Sequence, residues 1–437
     1  MARVLALDVG TSSVRAQRTE GAVARREYPG EDDPERIVEL TRAAVVDAGG
    51  LQGIDAVGSS CFGHSLVPLD ADGRPLTPVL GWRDTRSANA ADWLSQHVDA
   101  AAVHARTGCH IHTSYWPAKL AWLADEQSDV FRAARRFVSF PDYLYARMLG
   151  REIPMSLSMA SSTGLLDLHA GSWDAELLEL LGVGRERLPQ ISDAPIDNWF
   201  PAVFDGACSN IGTGCVTRGR ATLAVGTSAA FRSLYETGQP KPRPGLFLHR
   251  VDERRVVEGG SLSDGGNLHH WLEETLREQD DGGLADRDPD SHGLTFLTLL
   301  GGERSPGWHQ HARGAIVGLT FETTPLDIRQ AALEGVAFRF AEIVDLMPEV
   351  DEIVAAGGAL SKNSDWLQIV ADVLQRPISV SDIDEASLCG AASLTLERFG
   401  EAVAPAAIRD VVHPRVERAG AYRAARERQR RLYEAAT

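Results

Sequence analysis

VLALDVGTSSVR (residues 4–15) decides how this chain is read. The apolar run from Val4 to Leu7 has the length of a buried strand, and Asp8-Val9-Gly10 ends it in a tight turn. Val14 to Arg18 then reads as the returning strand. TLAVGTSAAFR (residues 222–232) repeats the pattern: an apolar run, Gly-Thr-Ser, and an arginine three or four residues later. Two copies of one strand–turn–strand unit, about half a chain apart, predict two domains with related cores. The boundary is expected near residues 216–220, giving domains over 1–217 and 218–437.

The turns themselves carry chemistry. Gly10 permits a sharp bend, so several backbone N–H groups can face one concavity. With the hydroxyls of Thr11, Ser12 and Ser13, such a nest suits phosphate oxygens. A carboxylate at the strand end, here Asp8, can hold Mg²⁺, usually through water. Taken alone, the motif is also an ordinary hairpin turn. In the second copy Ala224 stands where the first has Asp8, so Gly226, Thr227 and Ser228 offer only N–H and hydroxyl donors. One turn with a carboxylate and one without could grip opposite sides of a triphosphate. A third element is the strand 352–356 followed by Gly357-Gly358 and a helix from about Asn363. Paired glycines there let a flat ring approach the backbone. No Lys-Ser or Lys-Thr follows, so this is not a Walker A loop, and DVGTSS lacks the later glycines of a dinucleotide fingerprint.

Bulk properties bound the rest. The 437 residues carry a net charge of −17, which opposes nucleic acid and anionic membranes over long range. Five cysteines, at 61, 109, 208, 215 and 389, form no CxxC pair and read as reduced thiols of a cytoplasmic protein. MARVLALDVG is neither a signal peptide nor a spanning segment, and no apolar run reaches the roughly 20 residues needed to cross a bilayer. Residues 34–48 read as a helix capped by Asp33, with Pro34 at its first position. Residues 65–70 and 75–80 flank Ala71-Asp72-Gly73-Arg74 as a hairpin. A long helix over 325–347 places Leu333, Val336, Ala337, Phe340, Val344 and Met347 on one stripe, and Gly335 within it marks a close approach. The arginine-rich helix at 419–435 reads as a solvated face. Paired histidines such as His110/His112 and His309/His311 lack the ligands to complete a zinc site.

Six segments in order resemble the FGGY family of carbohydrate kinases, within the actin-like and heat-shock-chaperone ATPase superfamily. LALDVGTSSVRA resembles the first phosphate motif and LAVGTSAAFR the second. GWRDTRS (81–87) resembles the substrate-site segment, and PAVFDGACSNIGTG (201–214) the segment with the catalytic aspartate. Residues 318–338 and 355–374 resemble the nucleotide-side segments. The resemblance implies an α/β protein of two ribonuclease-H-like domains with an interdomain cleft. The first domain would bind substrate and the second nucleotide. It implies that Asp205 takes the proton from the attacking hydroxyl and that Asp8 anchors Mg²⁺. Gly226, Thr227 and Ser228 would contact phosphates, with Gly357, Gly358 and Asn363 near adenosine. On residue chemistry alone, Asp205 reads first as a helix N-cap, a role compatible with the other.

For the acceptor, Trp82 offers an aromatic wall and Asp84 a carboxylate for hydroxyls. Arg83 could meet a substrate carboxylate or form a surface ion pair. His64 and Asp142 lie in segments where family members contact substrate. RTGCHIHTSYWPAKL (106–120) and LSDGGNLHHWL (262–272) are similar to gluconate kinases, although Thr113, Ser114 and Asp264 depart from the pattern. The resulting expectation is ATP-dependent phosphorylation of a small sugar or sugar acid, gluconate first. Kinases of xylulose, ribulose, glycerol or a related polyol are alternatives, as is a non-catalytic ATP-driven or ligand-sensing relative. ATP and Mg²⁺ are the implied cofactors, no nucleic-acid or membrane partner is expected, and a homodimer is the assembly to test.

Overall fold

The computed structural model describes residues 2–277, 283–357, 360, 363–404 and 406–437. Two mixed sheets organise it. In the first, the strands run in the order Ala24–Glu27, Ser13–Arg18, Val4–Val9, Ala56–Cys61, Val203–Phe204. Val4–Val9 is antiparallel to Ser13–Arg18 and parallel to Ala56–Cys61. All six of its residues are buried, as a central strand covered on both faces requires.

The second sheet repeats that order. Arg255–Leu262, Ala229–Glu236, Arg220–Val225, Glu352–Ala356 and Ile378–Ser381 lie side by side, with Phe247–Arg250 and Ile408–Val412 added at the edges. Arg220–Val225 is again antiparallel to the strand after its turn and parallel to the next, Glu352–Ala356. The internal echo in the sequence is therefore a repeated topology. This is the ribonuclease-H-like, actin-like ATPase architecture. One core gathers Leu5, Leu7, Val14 and Val57 under the first sheet, and the other gathers Leu223, Phe231, Val336, Phe340 and Ile369 under the second.

Helices form where caps and stripes indicate. Pro34–Asp47 begins at Asp33, whose side chain accepts from the Glu35 N–H. Pro325–Asp345 begins with a reciprocal box, Thr324 and Asp327 each accepting the other's N–H. A Cβ on Gly335 would stand 2.7 Å from the Phe296 carbonyl, so the glycine does mark a close approach.

Two expectations change. The hairpin over 65–80 is reduced to isolated bridges, Leu66 to Leu80 and Leu69 to Pro75. Pro75 and Pro78 have no N–H to extend a ladder, and Val67–Leu69 pairs instead with Arg136–Val138. The C-terminal helix Ala419–Ala436 is not simply a solvated face. Tyr422, Ala425 and Gln429 are buried, and Arg426 and Arg428 tie it to Asp345 and Asp290.

The helix Ala386–Glu397 comes late in the chain but packs on the first sheet. Leu388 and Ala391 join Ala6 and Cys208 in one apolar cluster. Small residues allow this approach. A Cβ on Gly390 would stand 1.9 Å from the Cys208 carbonyl, and one on Gly212 would stand 2.0 Å from that of Ala386. No helix among the described residues is long and apolar enough to cross a membrane.

Candidate active site

Both Gly-Thr-Ser turns open on one crevice of about 590 Å³, and Asp8 and Asp205 line it together. Asp8 sits near the end of its strand. Ser60 Oγ donates to Oδ1 at 2.8 Å and Arg15 Nη1 to Oδ2 at 3.0 Å. Burial pushes its carboxyl up, and the Arg15 guanidinium opposes that shift.

The turns are held from behind. In the first, the Gly10 N–H donates to the Ser13 carbonyl at 2.9 Å, and Tyr28 Oη donates to the Gly10 carbonyl at 2.6 Å. In the second, the Gly226 N–H donates to the Ser228 carbonyl at 2.9 Å, so this loop is one residue tighter. The helix Gly266–Thr275 braces it. The N–H groups of Gly266 and Asn267 donate to the carbonyls of Gly226 and Thr227. With those carbonyls engaged, the turn can present its N–H and hydroxyl groups to a ligand.

Asp205 is the first residue of the helix Asp205–Gly212, and its Oδ1 accepts from the Gly206 N–H at 2.7 Å. The N-cap itself is Phe204, so Asp205 stands one position inside the helix rather than capping it. Burial raises its carboxyl to about 6, Arg232 pulls it down and Asp8 adds to the rise. Arg232 reaches the crevice from the second sheet. Burial lowers its guanidinium to about 10 against the support of Asp205.

Thr11, Ser12, Thr227 and Gly357 line the crevice as expected. Gly357 has φ of +92°, and a Cβ there would stand 2.8 Å from the Val225 carbonyl. Gly358 lies outside the described residues. Two expected nucleotide-side residues do not line the crevice. Ser13 is buried at the start of its strand. Asn363 caps the helix Ser364–Leu374, its Oδ1 accepting from the Trp366 N–H at 2.9 Å.

On the acceptor side, Trp82 separates this crevice from a neighbouring cavity of about 420 Å³, which Arg83 and Asp84 line. The Arg83 guanidinium lies 5.5 Å from the Trp82 ring centre. Asp84 is clamped by Arg86, from Nε at 2.9 Å and Nη2 at 2.6 Å. Burial alone would raise its carboxyl, but Arg86 brings it below its ordinary value.

Asp142 is a correction. Its carboxylate accepts from Ser139 N at 3.0 Å and Ser139 Oγ at 2.6 Å, closing a capping box rather than facing the crevice. Burial raises it to about 7. His64 is also buried, away from the lining. Its φ is +65° and its Nδ1 is 2.6 Å from the Ser162 carbonyl. That carbonyl fixes the proton on Nδ1 and leaves Nε2 as the acceptor. Burial and then Arg304 hold the ring neutral, well below its usual range.

Sequence reasoning missed His249, Tyr115, Arg304 and Glu385. His249 and Tyr115 flank the His64 ring, with centroids 5.6 Å and 4.9 Å away. Glu385 Oε2 lies 2.7 Å from Arg15 Nε at the crevice edge. Such residues come together only in the fold. The one available signal was Glu303-Arg304-Ser305-Pro306, a charged pair set in a glycine- and proline-rich turn.

The chain matches known proteins over nearly its whole length. The N-terminal-domain pattern of the FGGY family of carbohydrate kinases covers residues 3–196, and the C-terminal-domain pattern covers 221–396. A gluconokinase of Bacillus subtilis (strain 168) is 27% identical across 94% of this chain and 90% of its own. A glycerol kinase of Rhodopseudomonas palustris (strain ATCC BAA-98 / CGA009) is 29% identical across 90% of this chain and 89% of its own. The crystal structure of ligand-bound xylulose kinase from Lactobacillus acidophilus superposes with a TM-score of 0.88 at 26% identity, covering 100% of this chain and 98% of that one. Gluconate kinase from the same species gives 0.87 at 26%, covering 99% and 98%. With both family domains matched in order around a crevice built from two phosphate-type turns, the chain belongs to the FGGY family of carbohydrate kinases.

Proposed function

We propose that the chain transfers the γ-phosphoryl group of ATP to a hydroxyl of a small sugar acid, gluconate first, with Asp205 as general base. The observation that carries this reading is the shared crevice: Asp205 on one wall, and Asp8 with both Gly-Thr-Ser turns on the others. In the step, the acceptor hydroxyl gives its proton to the Asp205 carboxylate and its oxygen bonds to the γ-phosphorus. The bond from that phosphorus to the β–γ bridging oxygen breaks and ADP leaves. Such transfer needs positioning and charge stabilisation more than covalent help. The N–H and hydroxyl groups of Thr11, Ser12, Thr227 and Ser228 hold phosphate oxygens, while Arg15 and Arg232 supply positive charge.

Mg²⁺ fits the donor set on the Asp8 side. The Asp8 carboxylate already accepts from Ser60 and Arg15, so it suits a hydrated ion held through water. There the ion would neutralise charge on the phosphates. In this reading residues 1–217 supply the acceptor side and 218–437 most of the nucleotide side.

Gluconate leads because gluconokinases, among them that of Bacillus subtilis, resemble the chain over most of its length. The likeness in fold to a xylulose kinase supports a second reading, a ketose acceptor. An ADP-release assay over gluconate, other sugar acids, xylulose, ribulose and glycerol separates them. Turnover is expected with gluconate above the rest. A folded protein that turns over none of these acceptors rules the proposal out.

A further inference from the structure

Arg304 is a buried cation without a counter-ion. Only 5% of its surface is exposed. Among the described residues it makes no carboxylate pair, and its Nε–H finds no acceptor. Buried Arg339, by contrast, is ion-paired to Glu303 and Glu342, and buried Arg250 donates to the Leu168 and Glu253 carbonyls. Glu303, the neighbour of Arg304, is thus taken up by Arg339 and Tyr433. Holding an unmatched guanidinium out of water is strongly unfavourable. A site retains that cost where an anion arrives to complete it.

The position of Arg304 says which anion. Its guanidinium lies 5.1 Å from the centre of the Trp82 ring, and Trp82 lines the crevice. Around it stand His64, His112, His249, Tyr115 and Lys119, none of them an anion at neutral pH. Asp205 is the one carboxylate that raises the Arg304 guanidinium electrostatically, and in the kinase reading that group serves the reacting hydroxyl. Glu303 and Asp264 share a small cavity with Arg304 but make no ion pair to it. The phosphate-type turns have cations of their own, Arg15 and Arg232. Arg304 is therefore the cation left over, on the Trp82 side.

We propose that Arg304 is the specificity-determining residue for the acceptor, recognising the carboxylate of an open-chain polyhydroxy acid. The planar fork of a guanidinium matches a carboxylate with two parallel hydrogen bonds. The Trp82 face then receives the C–H side of the carbon chain. This rests on the kinase reading above and names the group that would select a sugar acid over a neutral sugar.

The experiment compares gluconate with glucitol, which has a CH₂OH in place of the carboxylate. Steady-state kinetics are measured for wild type, Arg304→Gln and Arg304→Lys, with ATP and acceptor varied separately. In Arg304→Gln, KM for gluconate rises roughly 10- to 100-fold, the range of a lost charged hydrogen bond, while KM for ATP stays within about twofold. The gluconate-over-glucitol preference collapses, and Arg304→Lys lies between. Millimolar guanidinium restores part of the gluconate activity of Arg304→Ala. Melting curves establish that each variant is folded. If Arg304→Gln does not fold, the Arg304→Lys kinetics and the guanidinium rescue decide. An unchanged gluconate KM in a folded variant, an equal loss on both acceptors, or a shift confined to the ATP KM overturns the proposal. Wild type that prefers glucitol to gluconate overturns the sugar-acid reading itself, before any variant is made.

Discussion

Glu385 reaches from the second half of the chain to Arg15 in the first, Oε2 to Nε at 2.7 Å. Asp8 holds the other side of the same guanidinium at 3.0 Å. Glu385 also meets Arg25 at 3.3 Å and immediately precedes the helix Ala386–Glu397. The arginine that faces the phosphate-type turn is thus set by one carboxylate from each half of the molecule.

Glu385→Gln should release one side of Arg15 and let it swing fully onto Asp8. We expect KM for ATP to rise roughly tenfold, on the scale of a hydrogen bond to a charged group. The melting temperature should change little, because the pair is partly exposed. Unaltered ATP kinetics would leave Glu385 with a purely structural role.

Asp205→Asn should lower turnover by about 10²- to 10⁴-fold, the usual weight of a general base. Nucleotide binding, followed by calorimetry, should survive, because the turns of residues 10–12 and 226–228 remain. Appreciable turnover in this variant would remove Asp205 from its assigned role.

The carboxyl of Asp205 is raised to about 6, first by burial and then by Asp8. A base works in its ionised form. As pH falls through about 6 the proton returns and kcat/KM should drop, approaching tenfold per unit below that point. Above pH 7 the profile should be flat on this account. A rate that holds level from pH 7 down to 5 in folded enzyme would contradict the assignment.

Asp142→Ala separates a cap from a substrate contact. Loss of a capping box should cost about 1 kcal/mol, seen as a lowered melting temperature. KM for the acceptor should stay within about twofold. A large acceptor KM change at unaltered stability would return Asp142 to the substrate site.

Gly390→Ala sets two effects against each other. Alanine favours a helix by about 1 kcal/mol, but its Cβ would stand 1.9 Å from the Cys208 carbonyl. Forcing backbones apart costs about 1–3 kcal/mol, occasionally more. The clash involves two main chains and should win. Chemical denaturation should show net destabilisation, and a stabilised variant would mean that the helices are not in contact there.

Local signals carried most of what the sequence disclosed. The Val4–Arg18 and Arg220–Glu236 hairpins were legible because an apolar run, a glycine turn and a return strand are contiguous. Asp33, Gly335 and the stripe over 325–347 were legible for the same reason. The reversal at 65–80 is present as antiparallel bridges, but its prolines keep it from a full ladder, and the regular partner of Val67–Leu69 lies some seventy residues on, at Arg136–Val138. At the site, Asp8, Gly226 and Asp205 stand in motifs. Ser13, Asn363 and Asp142 share the right residue types, but Ser13 is buried in its strand and the side chains of Asn363 and Asp142 serve as helix caps. His249 and Glu385 have no local signature, and Arg304 has only the charged pair in its glycine- and proline-rich turn. Their importance arises from burial and from neighbours far away in sequence.

The glycine-notched seating of Ala386–Glu397 on the first sheet means that the molecule cannot be cut in two by sequence position. A fragment ending at residue 217 would lack the helix that covers Ala6 and Cys208, exposing an apolar groove with nothing to fill it. Co-expressed halves would have to find each other through that helix. Asp205, at the head of its partner helix, therefore travels with a segment translated almost two hundred residues later, and the chain must be nearly finished before that wall of the crevice is packed.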